Sequence, residues 1–271
     1  MSIWYRCGEW FDGEIVLPLD DLGLFQGVCA VERLRTYGQR VFLLDEYLQR
    51  LQRSAATLSI DVSEAIVRLP DVIGELLQRN ALSVDTGITL LVTPGDLQRR
   101  APTVLAHLVP LDFARISRLQ REGERLVLTS VVQPAAETVP RQVKHRSRIH
   151  YYLAAQQARR IDPAGTAVLL DADGSLTETA SANLLLVQEG CIYGAPSERV
   201  LPGVTLSVVR QLAKAAGIPW REQPLSASMF EDADEILLTG TGPGIWFGNH
   251  RRGPIYQQLL EAFSAFTAAP A

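Results

Sequence analysis

The chain has 271 residues, 47% of them hydrophobic, so it can bury a sizeable core, and ordinary domain sizes favour two globular units over one. Its 26 basic and 30 acidic residues give a formal net charge of -4 with no long block of one sign, which excludes the electrostatic footprint of a nucleic-acid binder or a basic membrane-facing helix. The three cysteines, Cys7, Cys29 and Cys191, are odd in number and far apart, so neither a disulfide framework nor a metal site is expected, and a reducing cytoplasm is the expected compartment.

No charged and then apolar leader opens the sequence, and no apolar run reaches membrane-spanning length, so export is not expected. The first stretch, "IWYRCGEWFDGEIVLP", alternates aromatic or apolar with polar residues around Gly8 and Gly13 and predicts a hairpin. Leu44, Leu48, Leu51 and Ala55 then recur at helical spacing, and "SEAIVRLPDVIGELLQRN" repeats the pattern with a break predicted at Pro70. "TGITLLVTPGD" and "TVLAHLVPL" read as buried strands. The polar stretch "DFARISRLQREGER" reads as a connector. It divides a smaller N-terminal α+β domain, 1–112, from a larger C-terminal domain, 113–271, that carries Lys144.

The second part opens with the strand "LVLTSVV", followed by a helix over "IHYYLAAQQARRI". Two strands, "TAVLLD" and "ANLLLVQEG", are predicted to join across the turn Asp173-Gly174. "GVTLSVVRQLAKAAG" is an amphipathic helix stopped by Gly217, "EILLTG" is a further strand, and the tail "AFTAAPA" is expected to fray.

Lys144 and Lys214 are the only lysines in the chain. A lysine amine can lose its proton and attack a carbonyl carbon, whereas a guanidinium stays charged, so a lysine kept among arginines is a candidate nucleophile. Lys214 has an ordinary explanation, because it falls in the last turn of its helix, where a cation suits the carbonyl end. Lys144 has none. Its neighbours His145, Arg146 and Arg148 crowd positive charge around it, which favours the neutral amine.

Four segments now carry a resemblance: "VKHRSRIHYYLAAQQA", "AVLLDADGSLTETASANLLLVQEG", "VLPGVT" and "LLTGTG" follow one another in the order and spacing of the class IV aminotransferases. The N-terminal "VERLRTYGQRVFLLDEYLQRLQRSA" resembles that family's approach to its phosphate-binding arginine. These are fold-type IV pyridoxal-phosphate enzymes, comprising branched-chain and D-amino acid aminotransferases and aminodeoxychorismate lyases. The resemblance implies an α+β, two-domain, D-amino acid aminotransferase-like architecture, pyridoxal 5′-phosphate as cofactor, no metal, and a homodimer. It implies Lys144 as the Schiff-base residue and Glu178 as the acid facing the ring nitrogen. A phosphate cup is implied from Arg50, Val204, Thr205, Thr241 and Gly242.

Each role has a physical counterpart in the sequence. "LPGVT" turns directly into a helix, whose first N–H groups suit a phosphate; Thr241 and Gly242 offer a hydroxyl and a close-approaching amide; Arg50 offers a charged fork. Departures from the family are equally visible. Several members carry an arginine seven residues before the lysine, near the cofactor's phenolic oxygen, where this chain has Glu137, which leaves Arg148 and Arg141 as candidates. The aromatic residue usual in the family's F-E-T-I-R-like segment is Val31, and Arg33 replaces a small residue, which recharges the substrate wall. The stretch "GPGIWFGNHRRGPIY" is shorter than is typical.

The resemblance therefore implies transfer of an amino group between a small-molecule amino donor and a 2-keto acid, with Lys144 moving the proton at the substrate's Cα. A lyase releasing pyruvate is the alternative, since "KHRSR" has some likeness to the K-H-x-x-R of such lyases, and a non-catalytic cofactor-binding protein is a third reading. Arg33, Arg35 and Arg99, with Arg100, are the candidates for a substrate carboxylate.

Overall fold

The structure, a computed structural model, describes residues 2–98 and 101–269. It divides into two compact units: the first runs to Leu111 and includes Val143–Ser147, and the second comprises Asp112–Gln142 and the chain from Arg148 onward.

The first unit opens with the hairpin β1 (Ile3–Arg6) and β2 (Glu9–Asp12). Its two-residue turn, Cys7-Gly8, has positive φ at both positions, the backbone that matches the right-handed twist of the strands. Trp4 and Phe11 are partners in its register and stack with centroids 4.6 Å apart. After the short helix α1 (Leu22–Phe25), capped by Asp21, come β3 (Ala30–Tyr37), β4 (Arg40–Val41), α2 (Leu44–Thr57), α3 (Ser63–Asn80), β5 (Thr86–Thr93) and β6 (Thr103–Pro110). The six strands form one antiparallel sheet in the order β2-β1-β6-β5-β3-β4.

Helices α2 and α3 lay their apolar stripes on one face of this sheet: Tyr47, Leu48, Leu51 and Ala55 from α2, and Leu69, Val72, Ile73 and Leu76 from α3. The break expected at Pro70 does not occur. Pro70 points to solvent, where the helix can bend away from its ring, and the stripe on either side of it holds both halves to the sheet.

The second unit begins with α4 (Phe113–Glu122), so the stretch read as a connector is a helix. Its few apolar residues hide the signal, but Asp112 accepts a 2.8 Å hydrogen bond from Arg115 N, Leu119 is buried, and Gly123 ends the helix at positive φ. Then follow β7 (Leu126–Val132), α5 (Ile149–Ile161), β8 (Thr166–Leu170), β9 (Leu176–Thr179), β10 (Asn183–Gln188), β11 (Cys191–Gly194) and α6 (Val204–Ala215). The unit closes with β12 (Trp220–Glu222), α7 (Ala227–Asp232), β13 (Glu235–Gly240), β14 (Gly244–Phe247) and α8 (Pro254–Ala268).

Its sheet runs β12-β11-β10-β9-β8-β7, with β13 also paired to β10 and β14 to β13. Leu184, Leu186, Ile236, Leu238 and Trp246 belong to its main core. On the other side Ala154 and Ala158 of α5 seat against Ala167 and Leu169 of β8, small residues that let helix and sheet approach closely. Two expectations are corrected here. The Asp173-Gly174 turn joins β8 to the short strand β9, not to "ANLLLVQEG", so Glu178 lies within a strand. The tail does not fray at Ala265, because α8 runs to Ala268 with Phe263 buried.

Lys144 was expected in the C-terminal domain, yet Val143–Ser147 joins the first unit. The reason is backbone pairing. His145 bridges Ala30 in antiparallel sense, Val31 N donates to Lys144 O at 2.9 Å, and Arg146 N donates to Cys29 O at 3.1 Å, so this segment extends the sheet beyond β3.

Candidate active site

In the first unit, Lys144 is fixed by its backbone. Besides the bond to Val31, its N–H donates to Ser54 Oγ at 3.2 Å, which ties it to α2. Ser54 and Arg50 are four residues apart and lie on one side of that helix, both buried. Arg50 is 3% exposed, so its guanidinium is buried within the unit and is not on the helix surface. Its Nε and Nη2 donate to Glu32 Oε1 and Oε2 at 2.8 and 2.7 Å, a bidentate pair on a carboxylate that is itself fully buried. The guanidinium also lies 5.4 Å over the Tyr47 ring.

The substrate candidates separate. Arg35 is buried, donates from Nε to Thr36 O at 3.1 Å and lies 4.0 Å over the Tyr37 ring. Arg33, two residues earlier in β3, is exposed. Arg99 and Arg100 lie outside the described residues.

In the second unit, Glu178 receives three donors. Tyr151 Oη donates to Oε1 at 2.8 Å, while Asn183 Nδ2 and Leu201 N donate to Oε2 at 3.2 and 3.1 Å. The carboxylate is buried, and such donors favour its ionised form. Burial, and then the charge of Glu178, push the Tyr151 phenol well above its usual range. Arg148 lies 4.3 Å over the Tyr151 ring and donates to Ala180 O. Arg141, the other candidate for the phenolic oxygen, is held by Asp171 at 3.0 Å and by the carbonyl of Pro134. Glu137 is exposed.

The start of α6 lies beside Glu178. Asn183 also donates to Leu201 O at 2.9 Å, and a Cβ at Gly203 would overlap Asn183 Oδ1, so the chain entering α6 passes directly over this amide. The helix begins at Val204 with no side-chain cap, and Val204 and Thr205 are buried. A helix start of this kind presents N–H groups suited to an anion. The register Asn183 to Thr239 brings the end of β13 to the same place, and Thr241 and Gly242 follow immediately; Gly242 faces open space. Glu178, the α6 start and the Thr241-Gly242 turn thus gather at one end of the second unit's sheet.

Four residues at these positions escaped the sequence reading: Glu32, Ser54, Tyr151 and Asn183. One signal was available for Tyr151, which lies three residues after Arg148 and so on the same side of α5. The other three are ordinary polar residues until the fold pairs them. Among the described residues no group of His, Cys, Asp and Glu is arranged to hold a metal ion, and no helix is long and apolar enough to cross a membrane.

The family model for amino-transferase class IV matches residues 30–248. The chain belongs to the class IV aminotransferase family. A Methanocaldococcus jannaschii protein, named provisionally as a branched-chain-amino-acid aminotransferase, is 32% identical over 96% of this chain and 94% of its own. The D-alanine aminotransferase of Staphylococcus haemolyticus is 25% identical over 96% and 95%. The crystal structure of the Escherichia coli branched-chain amino acid aminotransferase shares the fold, with a TM-score of 0.89 at 24% identity over 98% and 94%. This aminotransferase therefore has the fold-type IV architecture, uses pyridoxal 5′-phosphate, and moves an amino group between an amino acid and a 2-keto acid. Of the two expected activities, transfer is the one these relatives carry in their names.

Proposed function

We propose that Lys144 binds the aldehyde carbon of pyridoxal 5′-phosphate, that Glu178 faces its ring nitrogen, and that Arg50, Val204, Thr205, Thr241 and Gly242 take its phosphate. The observation that carries this reading is the environment of Glu178: a buried carboxylate with three donors, next to an uncapped helix start. An ionised acid and an anion site at one end of a sheet fit the two poles of this cofactor, a protonated ring nitrogen and a phosphate. Arg148, beside Tyr151 and close to Glu178, is the better placed of the two arginines to meet the phenolic oxygen.

Once bound, the cofactor supplies an electron-withdrawing ring that disperses negative charge from the substrate's Cα. Lys144 does the rest of the chemistry from its own Nζ. With its amine free, Lys144 would take the proton from the substrate's Cα at Nζ and give it back at the neighbouring carbon, and its backbone bonds to Val31 and Ser54 would keep that amine in register. Tyr151, Asn183 and Leu201 hold the Glu178 carboxylate in place.

A homodimer fits the exposed apolar side chains Ile149, Tyr152 and Leu153 of α5 and Leu19, Leu24 and Phe25 of the first unit, which a second copy would cover. The three free cysteines suit a cytoplasmic setting. The charge pattern gives no support for a nucleic-acid or membrane partner.

The test is covalent labelling. Protein loaded with pyridoxal phosphate is expected to absorb visible light, and borohydride is expected to fix the label on the peptide carrying Lys144. A label on Lys214, or no absorption after loading, would sink this assignment.

A further inference from the structure

The Thr241-Gly242 turn belongs to a tight hairpin in the second unit. β13 ends at Gly240, β14 begins at Gly244, and these two glycines are partners in the register, so Thr241, Gly242 and Pro243 alone span the gap. Gly244 has φ of +79°, as a three-residue hairpin loop requires of the residue that closes it. Both feet of the loop are packed. A Cβ at Gly240 would come within 2.7 Å of Ser181 O, and one at Gly244 within 2.5 Å of the Phe263 ring. Between those feet one peptide keeps its freedom. The Pro243 ring fixes its own φ but leaves ψ open, and glycine accepts either sign of φ, so the dihedrals of neither residue oppose a turn-over of the peptide between Pro243 and Gly244.

Gln120 opposes that motion. Its Nε2, on the last turn of α4, donates to Pro243 O at 2.8 Å. The donor has a firm support. Gln120 O is one of the carbonyls left over at the end of α4, and it accepts a 2.9 Å hydrogen bond from Tyr256 Oη of α8. Just beyond the helix, Glu124 N donates to Phe247 O at 2.8 Å and Glu124 Oε2 accepts from Trp246 Nε1 at 2.8 Å, which ties the exit of α4 to β14, the strand that leaves the loop. The preceding residue, Leu119, is buried in the main core. The direction in which this carbonyl points matters for an anion. Backbone N–H groups attract a phosphate, whereas a carbonyl oxygen turned toward it carries the negative end of the peptide dipole and repels it.

We propose that Gln120 is a positioning residue for the cofactor: by holding Pro243 O toward α4, it keeps the Thr241-Gly242 turn in the one orientation that receives the phosphate. Gln120 acts through the loop and not by contact with the phosphate. This rests on the reading above that the turn takes the phosphate. The chain α8 to α4 to loop, through Tyr256, Gln120 and Pro243, then sets how much of the cofactor's affinity its phosphate contributes.

Pyridoxal 5′-phosphate and pyridoxal differ in the phosphoryl group alone, so the ratio of their affinities for the full chain isolates what the phosphate contributes. Gln120→Met keeps the length of the side chain and removes the donor. It should weaken pyridoxal 5′-phosphate about three- to tenfold, the worth of a neutral hydrogen bond, and change pyridoxal less than about twofold. The phosphorus resonance of the bound cofactor should broaden in the same variant, as the loop samples two orientations. Gln120→Glu sets a carboxylate against Pro243 O and should cost about tenfold or more at pH 8. Facing a carbonyl oxygen, the introduced carboxyl gains a proton more readily than in water and then donates again, so its deficit relative to the parent at the same pH should narrow toward pH 5. A purely structural role would not produce that recovery. Equal losses for both ligands, or a ratio unchanged in Gln120→Met and Gln120→Glu while Gly242→Ala lowers it, overturn the role of Gln120 and leave the turn at the phosphate. A ratio unchanged in Gly242→Ala as well removes the turn from the phosphate, and this proposal falls with it.

Discussion

Tyr151 Oη and Glu178 Oε1 are joined by a 2.8 Å hydrogen bond between α5 and β9. Tyr151 thus holds the carboxylate from the helix side, while Asn183 and Leu201 hold its other oxygen. Removing one of three donors to an ionised acceptor costs about 1.5 kcal/mol. Tyr151→Phe should therefore weaken pyridoxal-phosphate affinity roughly tenfold, whereas Tyr152→Phe, at an exposed position on the same helix, should leave it unchanged. Equilibrium titration of the apo-protein with cofactor measures both. Equal affinities would mean that Tyr151 only packs.

Much of this was legible in the sequence because local chemistry and global fold agree there. The hairpin at Cys7-Gly8, the strands β5 and β6 and the helix α6 follow directly from period and turn residues. What failed has particular causes. β9 has four buried residues, two of them threonine and one glutamate, so no alternation marks it as a strand. α4 buries only Leu119, and a polar helix reads as a connector until its Asp112 cap is seen. Lys144 was assigned to the wrong unit because a single bridge to Ala30, invisible in any window of sequence, decides the matter. For the same reason Arg50 was legible as a candidate and Glu32 was not: the pair is made by register and packing of β3 against α2.

The pair Arg50–Glu32 permits a separation of stability from cofactor binding. Arg50→Ala leaves Glu32 buried and unpaired, which costs about 3–5 kcal/mol and should lower Tm markedly. The double variant Arg50→Ala with Glu32→Gln should regain most of that stability, because the stranded charge is gone. Cofactor affinity should stay low in both, while Arg53→Ala, at an exposed position, should resemble the parent. Thermal melts and cofactor titrations on the four proteins test this, and full affinity in the double variant would return Arg50 to a purely structural role.

Alkaline stability follows from buried acids. Burial pushes the Cys29 thiol from 9.0 up to about 12, and raises Tyr37 and Tyr256 from 10.0 to about 12. Each folded-state pKa lies above its unfolded value, so these groups contribute stability that is fully present below pH 9 for Cys29 and pH 10 for the tyrosines. It is lost as pH rises through about 12. Tm should be flat up to pH 9, fall gently from 9 to 10 as stability drops by about 1.4 kcal/mol per pH unit through Cys29, and fall more steeply above 10. Cys29→Ala should delay the onset to pH 10. A melting curve series whose first bend is unmoved by that substitution would show that another group titrates there.

Two glycines near the start of α6 differ in what an added methyl meets, and that difference tests the proposed phosphate position. At Gly203 a Cβ would overlap Asn183 Oδ1 and come within 3.1 Å of Leu206 Cβ, although φ of -67° is itself acceptable to alanine. Gly203→Ala should therefore turn Asn183 away, break its bonds to Glu178 and Leu201, and lower both Tm and cofactor affinity. At Gly242 no atom lies within 4 Å of the added Cβ, and the backbone is outside the left-handed region. Gly242→Ala should fold as well as the parent, so any lost affinity reports on the bound phosphate and not on the protein. A drop of tenfold or more is expected, with Tm of the cofactor-free protein within about 2 °C of the parent. Unchanged affinity in Gly242→Ala would remove the Thr241-Gly242 turn from the phosphate site, leaving Arg50 and the α6 start to hold it.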